Sequence, residues 1–335
     1  MLAIDCVPQG PFGVVLNANA GRVTPRLASA IRRVVNTDHV FLTESKDHSE
    51  EVLRLCVERE YSTVFAGGGD GTIVDAINTL SRLGERGARV PAVGVLRLGT
   101  GNALAHWLGS GNPVRDLKRY QNRELHQARP VRMITTDGTL YPFGGAGHDA
   151  AVLNDYYTWK KRFADTRFAG LFSGLTGYFL AGFGRTVPRY LSEENPEVTI
   201  YNLGRPAFRV GPNGDEIGEP VPQGGVLYRG SCAAAGAGTT PQLGYGLRYF
   251  PYACRRAGRF HLRIVDMSAL QCVANLPSLF RGNLGGPRVH DFYADRVRLV
   301  FNRAMPFQMA GDPAGFRSEI VLGLSESPVT LIGQA

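Results

Sequence analysis

Residues 62–80 read STVFAGGGDGTIVDAINTL, and this stretch decides the fold of the first part of the chain. A strand-like run, STVFA, passes through Gly67, Gly68, Gly69, Asp70, Gly71 and Thr72. Ile73, Ala76, Ile77, Leu80 and Leu83 then recur at helical spacing as one apolar stripe, so the spacing predicts an amphipathic helix from Ile73. Consecutive glycines let the backbone approach a phosphate without side-chain collision. Their N–H groups point inward, and the helix N-terminus behind them adds partial positive charge. A nucleotide polyphosphate such as that of ATP fits such a turn. Asp70 is out of place in a pure phosphate cradle, because a carboxylate repels phosphates unless it binds Mg²⁺ or accepts a proton, so it is a candidate for catalytic or metal-linked work.

A second glycine turn, Leu98-Gly99-Thr100-Gly101-Asn102, follows the buried-strand run VPAVGVLRL and precedes the helical run ALAHWL. Read alone it is a plain loop. Paired with the first, it places two polar glycine turns at successive strand ends, and ligands of open parallel sheets bind at the carboxyl ends of strands. Neither turn is a G-x-G-x-x-G fingerprint, and no G-x-x-x-x-G-K-[ST] loop occurs in the sequence, which argues against hydride transfer and P-loop chemistry.

Working outward, FGVVLN, a helical stretch over 26–35, HVFLTE and a helix over 47–59 lead into residue 62 with a strand-helix rhythm, which predicts four parallel strands with crossover helices. From about residue 129 the texture changes. RPVRMITT and TLYPFGG flank the turn pair Asp137-Gly138, and EVTIYNLG, FHLRIVDM and DRVRLVFN are strand-like runs punctuated by Gly and Pro. The expectation is an α/β domain with a parallel sheet over 1–130, then a mostly antiparallel β-sandwich domain over 131–335 whose last segment could pack back on the first domain. Between Arg167 and Arg185, FAGLFSGLTGYFLAGFG runs 17 residues without a charge. It is short of the roughly 20 apolar residues of a membrane span. It reads either as a buried helix or lid packed on the sheet or, with Lys160-Lys161-Arg162 just before it, as an element touching the bilayer interface.

A chain of 335 residues exceeds one ordinary core, in keeping with two domains. The five cysteines are scattered without C-x-x-C or zinc spacing and read as reduced thiols. With an N-terminus that lacks a basic region and an unbroken apolar run, they point to a cytoplasmic protein. Arginine carries nearly all of the positive charge behind the net +8, a bias that reads first as genome composition and second as attraction to phosphates or an anionic membrane surface. No aromatic-basic motif supports nucleic-acid binding.

Taken together, AGGGDGTIVDAINTL and LRLGTGNALA resemble the G-G-D-G-T and L-G-T-x-N blocks of the diacylglycerol kinase and sphingosine kinase family, in order and spacing. Asn17-Ala18-Asn19-Ala20-Gly21 is similar to that family's N-P-x-x-G turn with Ala18 in place of the proline, and Thr43 resembles its threonine after the second strand. The resemblance implies the fold shared by NAD kinases and diacylglycerol kinases, and a lipid kinase that uses ATP and Mg²⁺. It implies nucleotide contacts at Asn17, Gly21, Thr43, Gly67, Gly68, Gly69, Gly71, Thr72, Asp75, Gly99, Thr100, Gly101 and Asn102, with Mg-ATP held between the domains. Gly145-Ala146-Gly147-His148-Asp149-Ala150 is similar to the G-x-D-A stretch opening the family's second domain, which implies that Asp149 faces the lipid headgroup; as a residue in a glycine-rich bend, Asp149 equally reads as a turn stabiliser.

Two departures qualify the likeness. Many bacterial members carry D-G-E near the end, with the Asp as base, whereas Asp312-Pro313-Ala314 keeps only the Asp. Arg255 and Arg256 stand where the family often has acidic residues near an accessory Mg²⁺, which speaks against that metal site here. Asp70 and Asp312 are the candidate bases, and the sequence leaves the choice open, along with the acceptor, diacylglycerol or a sphingoid-type lipid. A lipid substrate, peripheral membrane contact and a homodimer are the partners compatible with this reading. An NAD kinase-like phosphotransferase, a non-catalytic nucleotide- or lipid-binding protein and, more remotely, a phosphofructokinase are the competing readings.

Overall fold

The structure is a computed structural model that describes residues 7–334, apart from 125, 164, 167–169 and 173 and the side chains of 175 and 192. Cys6, Arg167 and Phe168, used in the reading above, lie outside the described residues. The chain divides into two compact units, one ending at Arg132 and resuming at Glu326, the other running from Met133 to Ser325.

The first unit contains β1 (Phe12–Asn17), α1 (Pro25–Arg32), β2 (Val40–Thr43), α2 (Lys46–Glu58), β3 (Thr63–Gly68), α3 (Asp70–Glu85), β4 (Ala92–Arg97), α4 (Ala103–Trp107), α5 (Pro113–Gln121) and β5 (His126–Val131). Strands β1 to β4 are mutually parallel in the order β2-β1-β3-β4, as the strand-helix rhythm predicts. Every residue of β3 is buried, the signature of a strand covered on both faces. Val14, Leu16, Phe65, Leu96 and Leu98 pack on one face against Ala28 and Ile31 of α1 and Leu117 and Tyr120 of α5. Local chemistry starts the helices: Thr24 accepts from the Leu27 N–H ahead of Pro25, and Ser45 accepts from the His48 N–H. The helix after the glycines begins three residues earlier than its apolar stripe suggests. Gly69 is the extended N-cap, and Asp70, Gly71 and Thr72 form the first turn, where an acidic residue suits the helix dipole.

The second unit contains β6 (Ile134–Thr136), β7 (Thr139–Tyr141), β8 (Phe143–Gly147), α6 (His148–Arg162), α7 (Gly174–Ala181), α8 (Val187–Ser192), β9 (Glu197–Asn202), β10 (Ala207–Val210), β11 (Glu216–Val221), β12 (Val226–Ser231), β13 (Ala234–Gly238), β14 (Phe260–Val265), α9 (Ala269–Ala274), α10 (Leu276–Arg281), β15 (Val289–Ala294), β16 (Arg296–Met309) and β17 (Asp312–Leu324). Its twelve strands form one hydrogen-bonded network, antiparallel throughout. Asp137 and Gly138, both at positive φ, turn β6 into β7 as a two-residue hairpin. The run RPVRMITT is not one strand, because its first part closes β5 in the first unit and its last part is β6. The final strand, β18 (Val329–Gln334), lies between β4 and β5, parallel to the former and antiparallel to the latter.

The charge-free run forms α7 and a π-helical turn, Gly182–Thr186, that leads directly into α8. It packs on α6. Thr186 donates to Asp155 of α6 at 2.8 Å, and Arg185 and Arg189 reach the same buried carboxylate at 3.2 and 3.6 Å. No helix among the described residues is long and apolar enough to cross a membrane.

Candidate functional site

The four parallel strands bring the turns after β1, β2, β3 and β4 to one edge of the first unit. There the two glycine turns touch. A Cβ on Gly99 would lie 2.5 Å from Gly69 Cα and 2.9 Å from the Gly68 carbonyl oxygen, so the main chain of the first turn leaves no room for a side chain at Gly99. The other glycines differ in role. A Cβ on Gly67 would strike Leu16 at 2.5 Å and one on Gly68 would strike Thr72 Oγ1 at 2.4 Å, whereas a Cβ on Gly69 meets nothing within 4 Å. Gly69 therefore borders open space at the N-terminus of a 16-residue helix, where the first N–H groups have no helical partner. Asp70 is the half-buried first residue of that helix.

Asn102 is buried in the left-handed conformation (φ 51°, ψ 42°). Its Oδ1 accepts from the Gly99 N–H at 2.8 Å and its Nδ2 donates to the Gly99 carbonyl at 2.6 Å. This side chain is spent on shaping the turn, leaving exposed Thr100 and half-buried Gly101 at its tip. Asn17 Nδ2 donates to Thr72 Oγ1 at 3.0 Å, tying the first turn of the sheet to α3. Thr43 is buried beside it. Its hydroxyl donates to the Leu16 carbonyl at 3.4 Å, and its own carbonyl accepts from the Ala18 N–H at 2.9 Å. Gly21 is exposed at the end of the same turn. Asp75, further along α3, pairs with Lys46 Nζ at 3.1 Å in an exposed ion pair worth at most about 1 kcal/mol. Lys46 was not singled out by sequence because its only signal is its position at the start of the next helix.

In the second unit Asp149 stands in the first turn of α6, behind Gly147, which has φ 123° and would drive a Cβ to 2.3 Å from the Ala233 carbonyl oxygen. Asp149 Oδ2 accepts from Gln308 Nε2 at 3.3 Å, and Oδ1 is buried with no hydrogen-bond partner. Burial raises the Asp149 pKa, partly offset by the Ala150 N–H and by Gln308. Gln308 also accepts from the Gly311 N–H at 2.9 Å, so one side chain links Asp149 to the turn that delivers Asp312. That turn is tight, with Ala310 at φ 51° and Gly311 at φ 86°. Asp312 is exposed, and its Oδ1 accepts from the Tyr157 hydroxyl at 3.0 Å. Burial and then the neighbouring Asp312 charge raise the Tyr157 pKa, which keeps it a donor. Gln308 and Tyr157 are the residues that sequence reasoning missed. Gln308 lies close to Asp312 in the chain, but its partner Asp149 is 159 positions away.

His148 is buried against the Tyr190 ring, centroids 4.0 Å apart, and desolvation pushes its pKa down to about 4. Arg255 donates to the Asn213 carbonyl at 2.6 Å and Arg256 pairs with Glu216 at 3.0 Å, so both guanidiniums are fixed to the segment leading into β11. Among the described residues no group of three or more His, Cys, Asp or Glu could hold a metal ion.

A parallel α/β unit with a glycine-Asp turn at its carboxyl edge, followed in the chain by an antiparallel β-rich unit, is the fold seen in solved diacylglycerol kinase structures. Residues 11–135 match the family model of the diacylglycerol kinase catalytic domain. Diacylglycerol kinase 3 of Arabidopsis thaliana is 32% identical over 144 residues, 37% of this chain and 29% of that protein. The chain thus spans under a third of the first plant relatives it matches. A probable lipid kinase YegS-like of Klebsiella pneumoniae is 24% identical over 330 residues, 93% of each chain. The crystal structure of a putative diacylglycerol kinase from Bacillus anthracis shares the fold, with a TM-score of 0.69 and 17% identity over 97% of both chains. The chain thus resembles the diacylglycerol kinase-like lipid kinases, through the catalytic-domain match over residues 11–135 and the likeness to the YegS-like protein along most of its length.

Proposed function

We propose that this protein transfers the γ-phosphoryl group of ATP to the hydroxyl of a lipid, a diacylglycerol or a sphingoid-type lipid. The observation that carries the reading is the contact of the two glycine turns, which leaves Gly69 bordering open space at the N-terminus of α3, a setting suited to phosphates. Bound ATP, with its Mg²⁺, supplies the phosphoryl group. The lipid oxygen bonds to Pγ as the Pγ–O bond to the diphosphate breaks, and a carboxylate takes the hydroxyl proton. Asp70 and Asp312 are the residues proposed to divide metal and proton duties. Tyr157 orients Asp312 through its hydrogen bond. Asp149, with one oxygen unpartnered, is the proposed headgroup contact. Positioning and charge neutralisation, more than covalent chemistry, carry such a transfer.

The test is Mg²⁺-dependent transfer of labelled γ-phosphate from ATP to a panel of lipids in mixed micelles, with NAD as a soluble control. Wild type is compared with Asp70→Asn and Asp312→Asn. Labelled lipid that falls by roughly a thousandfold in a variant supports the reading and that residue's role. Labelled NAD, or no transfer by wild type while ATP still binds, overturns it.

A further inference from the structure

Cross-strand pairing aligns five residues on one face of the second unit. Gln308 of β16 pairs with Gly145 of β8, Gly145 with Gly236 of β13, Gly236 with Arg263 of β14, and Arg263 with Asp291 of β15. Directly paired residues project to the same side of a sheet, so this row carries polar side chains at both ends and none across its two central glycines. The strands themselves require those glycines. The nearest atoms that a Cβ on Gly145 or Gly236 would meet, at 2.7 and 2.8 Å, belong to the main chain of the adjoining strand. At one end Gln308 donates to Asp149. At the other, three strand spacings or roughly 14 Å along the row, Arg263 is fully buried and donates to Asp291 through Nε at 2.7 Å and Nη2 at 2.9 Å.

Charge is balanced at the Arg263 end, but hydrogen bonding is not. Although burial opposes ionisation, the bonds from His261 and Arg263 hold the Asp291 pKa at about 2, so the carboxylate is charged and matches the guanidinium. Arg263 Nη1 is nevertheless buried without a hydrogen-bond partner, as are the Tyr249 hydroxyl and, at the Gln308 end, Asp149 Oδ1. The guanidinium carbon of Arg263 lies 6.0 Å from the centre of the Tyr249 ring. Burial first and then the Asp149 charge push the Tyr249 pKa well above its ordinary value, with Arg263 opposing them, so the phenol sits in the field of both charges and stays a donor. A buried polar atom left unpartnered is destabilising, and native structures hold few of them. Three in one region, two donors and a carboxyl oxygen, complement a ligand that brings an oxygen acceptor to the first two and a hydroxyl to the third.

We infer that Arg263 and Tyr249 receive an acyl carbonyl of the acceptor lipid while Asp149 meets its headgroup, so that the second unit selects a diacylglycerol over a free sphingoid base. The inference rests on the lipid-kinase reading and deepens it. A diacylglycerol carries ester carbonyls a few bonds from its free hydroxyl. A sphingoid base has no carbonyl and would bring an ammonium toward a guanidinium, which cannot accept a hydrogen bond. Binding is measured apart from transfer. Calorimetric titration of the full chain, without nucleotide, compares dioctanoylglycerol with its diether analogue, which keeps the hydroxyl and the chains but lacks both carbonyls. Transfer of γ-phosphate from Mg-ATP is then measured as kcat/KM for the same pair and for sphingosine. Wild type is expected to favour the diester over the diether by roughly tenfold to a hundredfold in both measurements, and to transfer least to sphingosine. Tyr249→Phe removes one donor without leaving a polar atom buried, and Arg263→Met combined with Asp291→Asn removes the other without leaving a lone charge. Each should cut the diester-to-diether ratio by roughly tenfold. A purely structural role would weaken both lipids alike and keep the ratio of the wild type, and if the double variant fails to fold, Tyr249→Phe decides alone. Equal handling of diester and diether by wild type, an unchanged ratio in the variants, or sphingosine matching the diester would overturn the inference with the kinase reading intact. Selective binding of the diester without transfer to any lipid would support this site and remove the kinase reading.

Discussion

The glycine turns of the first unit and the Asp149–Asp312 cluster of the second are built on different scales. The glycine turns are shaped by backbone packing that starts with short strand-turn-helix segments, each carrying its own sequence signal. The Asp149 cluster is assembled by side-chain hydrogen bonds, Gln308 to Asp149 across 159 positions and Tyr157 to Asp312 across 155. The first design depends on a main-chain contact with no room for a methyl at Gly99, and the second depends on single polar contacts. Substitutions should therefore fail abruptly in the first region and by degrees in the second.

The largest effect should come from Gly99→Ala. The added methyl would meet main-chain atoms of Gly68 and Gly69, which cannot rotate away as a side chain would. The two turns must separate, and a displacement of about 1 Å at a phosphate site costs roughly a hundredfold. Calorimetric titration with a non-hydrolysable ATP analogue measures it, with Gly285→Ala as a control, because a methyl there meets nothing within 4 Å. Equal affinities for Gly99→Ala and wild type would remove the rigid end of the comparison.

Next in size is an acid effect at His148. Its pKa is held at about 4 against 6.5 in the unfolded chain, so the unfolded state takes up the proton first as pH falls. Stability is intact above 6.5 and is lost as pH drops from 6.5 to about 4, by about 3 kcal/mol in all. The neighbouring Asp149 has the opposite sign. Its raised pKa means that stability present below 3.8 is lost as pH rises through the folded value. Urea unfolding across this range should show His148→Gln flattening the acid limb, and Asp149→Asn more stable than wild type at neutral pH.

These cases show how far the sequence could be read. Strands with unbroken apolar runs and helices with a stripe were legible in the first unit because period and punctuation are local. The start of α3 was not, since Gly71 and Gly69 look alike in sequence and only geometry puts one inside the helix and the other at its cap. Asn102 was legible as a member of the turn, but not as the clamp on Gly99, which needs its left-handed backbone. The split of RPVRMITT between two sheets, and the bridge made by Gln308, depend on long-range pairing that no local pattern encodes.

Gln308→Leu should have an intermediate effect. It keeps the bulk but removes the bond to Asp149 and the acceptor for the Gly311 N–H. A cost of about 1–3 kcal/mol is expected in stability. Transfer to lipid should fall roughly tenfold, because the turn carrying Asp312 loses its tie. ATP affinity should not change. A matching loss of ATP affinity would contradict the division of labour between the units.

Tyr157→Phe should be the mildest, and it separates the two candidate bases. The phenol is a single partly exposed hydrogen bond to Asp312, so folding should change by no more than about 1 kcal/mol. If Asp312 takes the lipid proton, losing the hydroxyl that orients it should lower kcat a few-fold while KM for lipid and for ATP stay put, since nothing else in the site moves. If Asp70 takes the proton, kcat should not respond to Tyr157→Phe, and Asp312→Asn should leave much of the transfer intact. Steady-state kinetics on the two variants side by side decide it: a graded fall from Tyr157→Phe to Asp312→Asn assigns the proton to the second unit, and a collapse confined to Asp70→Asn assigns it to the glycine turn.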